Sequence, residues 1–585
     1  MTESSGSGAG MVDDGQHKLK RGMKLRDLYF SGLTAVIGSG WLFGSYLTAS
    51  AAGPASILSW VIGGIFILII ALVWSEIATS VPIAGAAARY ANFTHGGVAA
   101  SIIAWSTILT YIAVPAVEAV AVVSILQGGI SYYGSSIVLM NSSGIPSFPG
   151  VGIAALFSVI FFYVNYVGLK GLIKTNFGMT IWKLIIPPIA IILLLIFGLS
   201  HGFGVNFTGL KTATGSGFAP YGFDPVFSAL PATGVIFAYL GFRQPVEMAA
   251  EAKSPGKDIW RALVGVVLTG MGIYTLLEIA FIGSLDWNSA AFGTSGLAAG
   301  AWNQLSSNFS ISTFPFFYEA IGLGMGALGV VLLIDGVVSP SGTLSQYMGS
   351  TARVLYGTAK EGYLTSNFFK VHGKYRVPTL GIVVTFIVTL VLLLIAAVGY
   401  LVSSIGGAWS ALTAIVTTTG VFSYIIGPIA LMGFRKAHPD LHRPFALPGY
   451  SVFAILAFIV SALMIYWGAG SLNSSTDPFG GYILLVLILF GIVLYTFAKN
   501  RDFVKDLKSG AWVVGFLLFN LLLVFVGPYG QGYLVIKSAP SVPIDWFVDI
   551  IAAIFFYIWA VRTAFPDTEV VKAIDRSISM TESTD

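Results

Sequence analysis

Val36-Ile37-Gly38-Ser39-Gly40-Trp41 and Phe237-Ala238-Tyr239-Leu240-Gly241-Phe242 are the two stretches that decide the architecture. Each lies inside an apolar run of membrane-helix length and interrupts it with glycine. Glycine weakens a helix interior by about 1 kcal/mol relative to alanine. In lipid, irregular backbone is tolerated only where it is buried in protein or lines a cavity. One glycine-rich helix is explained well enough by close helix packing through small residues. Two of them, in the first and sixth apolar segments, point to an inverted five-plus-five repeat. Their broken segments would form a site near the bilayer midplane.

The composition agrees with a membrane setting. Of 585 residues, 56% are hydrophobic and 10% charged, and mean hydropathy is +0.84. Soluble proteins carry about 25% charge, so a soluble enzyme or nucleic-acid binder is excluded. The sequence has no cysteine and six histidines. Disulfides, thiolate metal sites and cysteine nucleophiles are therefore ruled out. The one histidine pair at four-residue spacing, His438 and His442, lies in a polar loop with Pro439 between, so no metal or other cofactor is expected.

A membrane helix needs about 20 apolar residues. Segments of that kind begin near Leu28, Ala55, Val98, Val151, Thr180, Pro225, Ala262, Phe316, Thr379, Ser410, Val452, Tyr482, Ala511 and Ile544. The expected fold class is thus an all-α membrane protein with 14 transmembrane helices. An even count puts both termini on one side. With the termini inside, the cytoplasmic loops carry Arg89, Lys170, Lys174, Lys253, Lys257, Arg261, Arg353 and most later basic residues; only Lys211 and Lys537 fall outside. The net charge of +4 then reflects topology, through the positive-inside rule, rather than nucleic-acid binding.

The expected organisation has a disordered cytoplasmic tail at 1–23 and a transport core of helices 1–10 at 24–433. Helices 11–12 follow at 434–500, extra helices 13–14 at 501–565, and a cytoplasmic tail at 566–585. The first residues, Met1 to Gln16, hold no apolar core of a signal peptide, and basic residues follow. The loop from Asp286 to Thr313 is long and rich in Gly, Ser and Asn.

Several motifs in order resemble one family. Ile37-Gly38-Ser39-Gly40-Trp41-Leu42-Phe43-Gly44 looks like its broken first helix, and Gly53-Pro54-Ala55 through Ser75-Glu76-Ile77 like its second. Phe237 through Phe242, then Ala250-Glu251-Ala252-Lys253-Ser254-Pro255, looks like the sixth helix and the loop after it. Ala352-Arg353-Val354-Leu355-Tyr356, Glu361-Gly362-Tyr363-Leu364 and Arg376-Val377-Pro378 resemble the loop after helix eight. Pro439, Arg443-Pro444-Phe445 and Pro448-Gly449 resemble the loop after helix ten. From about Lys24 to Lys499 the chain resembles the amino acid–polyamine–organocation transporters. The Gly-Ser-Gly-Trp-Leu-Phe-Gly form of helix one is similar to the acidic amino acid–proton symporter branch.

The resemblance implies secondary active amino acid transport, proton-coupled uptake by alternating access, and possible acidic substrates such as aspartate or glutamate. The alternative is a sodium-coupled or exchanging transporter of neutral amino acids. A channel or a membrane-embedded enzyme fits less well, since no selectivity filter and no H-E-x-x-H or G-x-S-x-G motif is present. The partners implied are an amino acid, a coupling proton and membrane lipid.

An amino acid carboxylate needs N–H donors at a helix N-terminus. Gly38, Ser39, Gly40 and Trp41 border the second half of helix one and could supply them. By resemblance, the ammonium would meet the carbonyls of Val36, Phe237 and Leu240, with Ala238 and Gly241 in the same segment. Phe237 would be an aromatic gate, with plain packing as the simpler account. Arg243 departs from the family, where Asp or Glu is common after Gly-Phe. Beside a cavity it would favour an anionic side chain; the competing account is an ion pair with Glu247, four residues on.

Lys183 lies in helix five, where an ammonium costs at least about 2.5 kcal/mol. Snorkelling to the interface is the simplest escape. By resemblance, some proton-coupled members carry a lysine here, standing where sodium-coupled relatives hold their ion. Glu118 and Asp335 are deep carboxylates that could share proton coupling with it, whereas Glu278 lies near a helix end and could simply reach the interface. Ser339, Ser341 and Thr343 could ligate sodium, although back-bonding within their helix is the commoner role. Glu76, Arg89, Glu251, Lys253, Arg353 and Arg443 could form an inside gate.

Overall fold

The computed structural model describes residues 19, 21–200, 203–208, 217–289, 297–402, 408–473, 479–498, 502–528 and 544–565. Most of both expected tails, and Lys211, Lys499, Arg501 and Lys537, lie outside the described residues, as does the side chain of Lys170. Among the described residues the regular elements are all helices, apart from two isolated bridges. Met23, at the expected end of the first tail, is buried, and its backbone pairs with Glu251 and Lys253.

The first apolar segment is two helices, α1 (Leu25–Val36) and α2 (Ser39–Ala52), separated by Ile37 and Gly38 in non-helical conformations. Then come α3 (Ser56–Ser80), α4 (Ala86–Tyr132), α5 (Phe148–Tyr166), α6 (Leu169–Leu199) and short α7 (Phe203–Thr208). The next segment is divided into α8 (Asp224–Ala232), α9 (Val235–Tyr239) and α10 (Gln244–Glu247), with a 3-10 turn over Leu240–Arg243. After it run α11 (Pro255–Ser284), short α12 (Phe309–Thr313) and α13 (Pro315–Gly322), and long α14 (Gly326–Lys360). The remainder is α15 (Thr379–Val402), α16 (Ala408–Tyr424), α17 (Ile426–Ala437), α18 (Tyr450–Ser471), α19 (Gly480–Leu489), α20 (Phe503–Val526) and α21 (Ile544–Thr563). Among the described residues, 12 helices are long and apolar enough to cross a membrane, or 13 if the pair bent by 55° at Ala232–Val235 is one span.

Some expected boundaries move. Phe316 does not start helix eight; it sits in α13, and the long helix begins at Gly326. Gly324, at φ 76, makes the turn between them. Helix five starts at Leu169, eleven residues before Thr180; Lys170, Lys174 and Asn176 interrupt its first turns and dilute their hydropathy. The break in the sixth segment also lies elsewhere than at Gly241. It falls at Thr233–Gly234, where Gly234 takes φ 88, and Leu240–Arg243 continues as a tighter helix. Gly241 serves close approach instead: a Cβ there would lie 2.5 Å from Ala35 C and Val36 N.

α14 packs along α4, and α11 along α3, more extensively than any other pair. These four, with α6 and α16, pack around the two interrupted segments and fix where their free backbone groups point. α4 bends at Gly96 (φ 67), which separates Ala86–His95 from the long apolar remainder. α20 and α21 pack on each other and on α4 and α18 respectively.

Candidate functional site

A helix interruption strands backbone groups that lipid cannot satisfy. Side chains from four other helices satisfy the break between α1 and α2. Thr34 O accepts from Lys183 Nζ of α6 at 2.6 Å and from Thr343 Oγ1 of α14 at 2.8 Å. Val36 O accepts from Tyr274 of α11 at 2.6 Å. Ser39 N, at the start of α2, donates to Glu118 Oε2 of α4 at 3.0 Å. Gly38 permits this crowding, since a Cβ there would sit 2.5 Å from Thr343 Oγ1 and 2.8 Å from Glu118 Oε1. Gly40 does the same against the sixth segment, where its Cβ would meet Ala238 Cβ at 2.7 Å.

The structure thus brings Val36, Gly38, Ser39, Gly40, Ala238, Gly241, Lys183 and Glu118 into one neighbourhood. It also occupies several groups expected to be free. The Ser39 N–H is held by Glu118, leaving Gly40 and Trp41 as the expected helix N-terminal donors. The Val36 carbonyl is taken by Tyr274, that of Leu240 by Tyr424 at 3.1 Å, and that of Phe237 by the Leu240 N–H. Tyrosines that lie 238 and 184 residues away in sequence carry no local signal of such a role.

Lys183 is fully buried, so it does not snorkel. Thr343 likewise reaches across to α1 rather than merely back-bonding within α14. Asp335 accepts from Trp182 Nε1 at 2.7 Å and from Ser339 Oγ at 2.9 Å, leaving its other oxygen without a partner. Ser341 Oγ is buried without one. Glu118 and Asp335 both lie within electrostatic reach of Lys183. Hydrogen bonds to an ammonium are worth about 1.5–3 kcal/mol each, which offsets part of its transfer from water.

Phe237 packs edge-on against Trp409 of α16, with ring centroids 5.8 Å apart. Trp409 also packs, tilted, against Phe43 at 5.0 Å and donates its indole N–H to Ser39 Oγ at 3.0 Å. Trp409 was invisible in the sequence, because an aromatic in an apolar helix reads as packing. Trp41 turns away from Trp409 to Phe316, at 5.2 Å, with its indole nitrogen unpartnered.

Arg243 is fully buried and forms the competing ion pair, Nε to Glu247 Oε1 at 3.1 Å. It also donates to Ser423 Oγ at 2.8 Å. The rings of Trp74, Tyr111 and Tyr424 surround the guanidinium at 5.1, 5.4 and 4.8 Å. Nη2 alone has no partner. Its charge is therefore balanced inside the protein and is not an open anion field.

Five of the six charges expected at an inside gate pair; Lys253 forms no ion pair among the described residues. Arg353 grips Glu251 with Nε and Nη2, and Arg89 meets Glu361 at 2.7 Å. Glu76 takes Arg435 at 2.7 Å and Arg443 at 3.4 Å. Arg435 and Glu361 complete these pairs as partners that no local pattern marks for a gate, since loop charges look alike in sequence. Glu278 does not reach the interface; it is buried and bound by Ser56 and Trp60.

The family model for amino acid permeases matches residues 24–494. The chain is 35% identical over 562 residues to the glutamate/serine transporter AimA of Bacillus subtilis, covering 95% of this chain and 96% of that one. It is 30% identical over 551 residues to the aspartate-proton symporter of the same organism, covering 94% and 98%. The branched-chain amino acid permease BcaP, also from Bacillus subtilis, is 25% identical over 490 residues, 82% of this chain and 93% of that one. A multi-pass apolar bundle, interrupted helices around buried charges, and a match across most of its length identify this chain as a member of the amino acid permease family.

Proposed function

We propose that the protein is a proton-coupled amino acid symporter that works by alternating access, with acidic amino acids as its substrate class. One observation carries the reading. The Lys183 ammonium bridges Thr34 O on α1 and Thr343 Oγ1 on α14, beside Glu118, which caps α2. A cation at that point ties the half-helix to the long helix. Losing its proton strips the charge from this tie and weakens it, although Thr343 still reaches Thr34 O, so a proton can stand in for a bound sodium ion. Glu118 links the same charge to the Ser39 end of the substrate site, and Asp335 is a further acceptor for the proton. The names of two relatives support this reading, one a symporter of aspartate with protons and one a transporter of glutamate and serine.

The substrate carboxylate would lie at the N–H groups of Gly40 and Trp41, with Val36, Gly38, Ser39, Phe237, Ala238, Leu240 and Gly241 forming the walls. Phe237 and Trp409 together would close over it. The acidic class rests on the relatives' names, since the charge of Arg243 is already met by Glu247. The serine in one relative's name favours small neutral substrates as a second class.

Fourteen crossings fit this function. Gly53, at φ 61, turns the chain between α2 and α3, so the long stretch Ser39–Ser80 divides in two. On that count α1 with α2 is the first span, α8 to α10 the sixth, and both termini are cytoplasmic. Residues 24–433 are the five-plus-five core, and 434–500 and 501–565 add helices around it. Uptake of labelled L-aspartate, L-serine and L-arginine into proteoliposomes, under separate proton and sodium gradients, tests the reading. Proton-driven aspartate uptake supports it. Sodium-driven uptake, or arginine uptake without aspartate, refutes it.

A further inference from the structure

Two buried carboxyls lie apart from Lys183 and take no part in the scheme above. Glu278 of α11 is fully buried; Trp60 Nε1 of α3 donates to one oxygen at 3.0 Å and Ser56 to the other. Ser45 of α2 is a further hydrogen-bonding neighbour. Glu319 of α13 is 2% exposed; it accepts from Ser284 Oγ of α11 at 2.6 Å, and its second oxygen has no partner. The two carboxyls lie within electrostatic reach of each other. Among the described residues no lysine, arginine or histidine pairs with either. Tyr274, one turn from Glu278 on α11, packs against Trp60 at 5.1 Å and Tyr239 at 5.2 Å, and the hydroxyls of Tyr274 and Tyr239 are engaged with Val36 O and Trp60 O.

Two uncompensated carboxylates cannot share a dry joint, because each isolated buried charge costs far more than the hydroxyl bonds return. Ionisable groups inside a membrane protein without a counter-charge belong on ion or proton routes. The joint they occupy connects α2, α3, α11 and α13, the elements at the C-terminal ends of α2 and α11, on the face opposite Arg353 and Glu251. In the proposed orientation this is the outer face.

We propose that Glu278 and Glu319 form a second proton site on the outer half of the transporter, and that its protonation permits the joint of α2, α3, α11 and α13 to close over the substrate site. The proton comes from the external solution. A hydronium gives it to a carboxylate oxygen, leaving water and a neutral carboxyl, and the neutral pair enters the dry joint. When the joint opens, water admits the charges and the protons leave to the same side. The closed form holds the protons, so acid outside favours closure and alkali favours opening. This rests on the transporter reading and its orientation.

The chain has no cysteine, so Ala49→Cys on α2, one turn beyond Ser45, places a single thiol in the joint. Its alkylation by an impermeant maleimide is followed in oriented proteoliposomes at several external pH values, with sodium constant. The same thiol in an added E278Q and E319Q background is compared, so the thiol's own ionisation cancels. The expected result is that acid slows labelling of the parent by more than it slows the glutamine variant, whose additional pH dependence is lost. Equal pH dependence in the two backgrounds overturns the proposal. So does protection that follows external sodium at constant pH. E319Q alone, which keeps an acceptor for Ser284, serves if the double variant does not fold. Counterflow of labelled amino acid by the parent protein, measured separately, distinguishes the failures: its absence sinks the transporter reading, whereas its presence with an unchanged labelling profile sinks only the proton pair.

Discussion

Lys183→Met removes the charge at the break while nearly keeping the side chain's volume. The lost bonds are those from Nζ to Thr34 O at 2.6 Å and Thr343 Oγ1 at 3.1 Å. At about 1.5–3 kcal/mol for each charged hydrogen bond, they total roughly 3–6 kcal/mol. The ammonium's burial costs several kcal/mol in the opposite direction. Thr34 O also keeps Thr343 as a donor at 2.8 Å, so no orphan acceptor remains. The two terms nearly cancel, and the variant is expected to fold with a melting temperature close to the parent's. Coupling should change far more. A gradient of one pH unit supplies about 1.36 kcal/mol per proton, enough for about tenfold accumulation by a one-proton symporter. With membrane potential clamped at zero, the parent should reach that ratio in proteoliposomes and the variant should stop at equal concentrations. Counterflow exchange should survive in both. Tenfold accumulation by Lys183→Met would refute the assignment of the coupling proton to this lysine.

Gly40→Ala puts a Cβ 2.7 Å from Ala238 Cβ and 2.8 Å from its Cα, so overpacking should cost about 1–3 kcal/mol; thermal melts and uptake should both fall, while Gly178→Ala, with nothing within 4 Å, should not reduce either. Arg243→Gln leaves Glu247 buried without its cation and should destabilise by about 3–5 kcal/mol; adding Glu247→Gln should restore most of the melting temperature, and failure to do so would show that the pair is not the reason. Trp409→Phe keeps the ring contacts to Phe237 and Phe43 but loses the bond to Ser39. At about 0.5–1.5 kcal/mol for a neutral hydrogen bond, substrate Kd measured by scintillation proximity should weaken on the order of 2- to 10-fold. His95→Phe breaks the clasp between the bend of α4 and the carbonyl of Ala560 on α21, 2.9 Å away, while keeping an aromatic ring beside Trp512; a loss of about 1 kcal/mol in stability is expected, and proteolysis near residues 94–97 should quicken.

Alternation of apolar runs with basic loops was enough to specify a polytopic helical membrane protein. Lipid cannot satisfy open backbone, so hydropathy maps almost directly onto spanning helices. The Gly38-Ser39-Gly40 interruption was legible for the same reason, since a helix that gives up its hydrogen bonds in lipid must have partners elsewhere. Lys183 and Glu118 stood out because charge inside a membrane is rare and costly. Which groups answer one another was not legible. Tyr274 meets Val36, Trp409 meets Ser39, and Arg435 meets Glu76 across large separations in sequence. Such pairings depend on which helix faces cross, and no local pattern encodes that. The same holds for Gly241, which reads as a break yet serves close packing, and for Gly234, whose φ 88 makes the actual bend. It holds most for Glu278. Its place near a helix end suggested a carboxylate reaching water, and only the packing of α2, α3 and α13 around α11 decided that it would be dry. Sequence alone determines which groups must be satisfied inside the membrane; tertiary packing decides by what, because satisfaction is a matter of distance between helices and not of order along the chain.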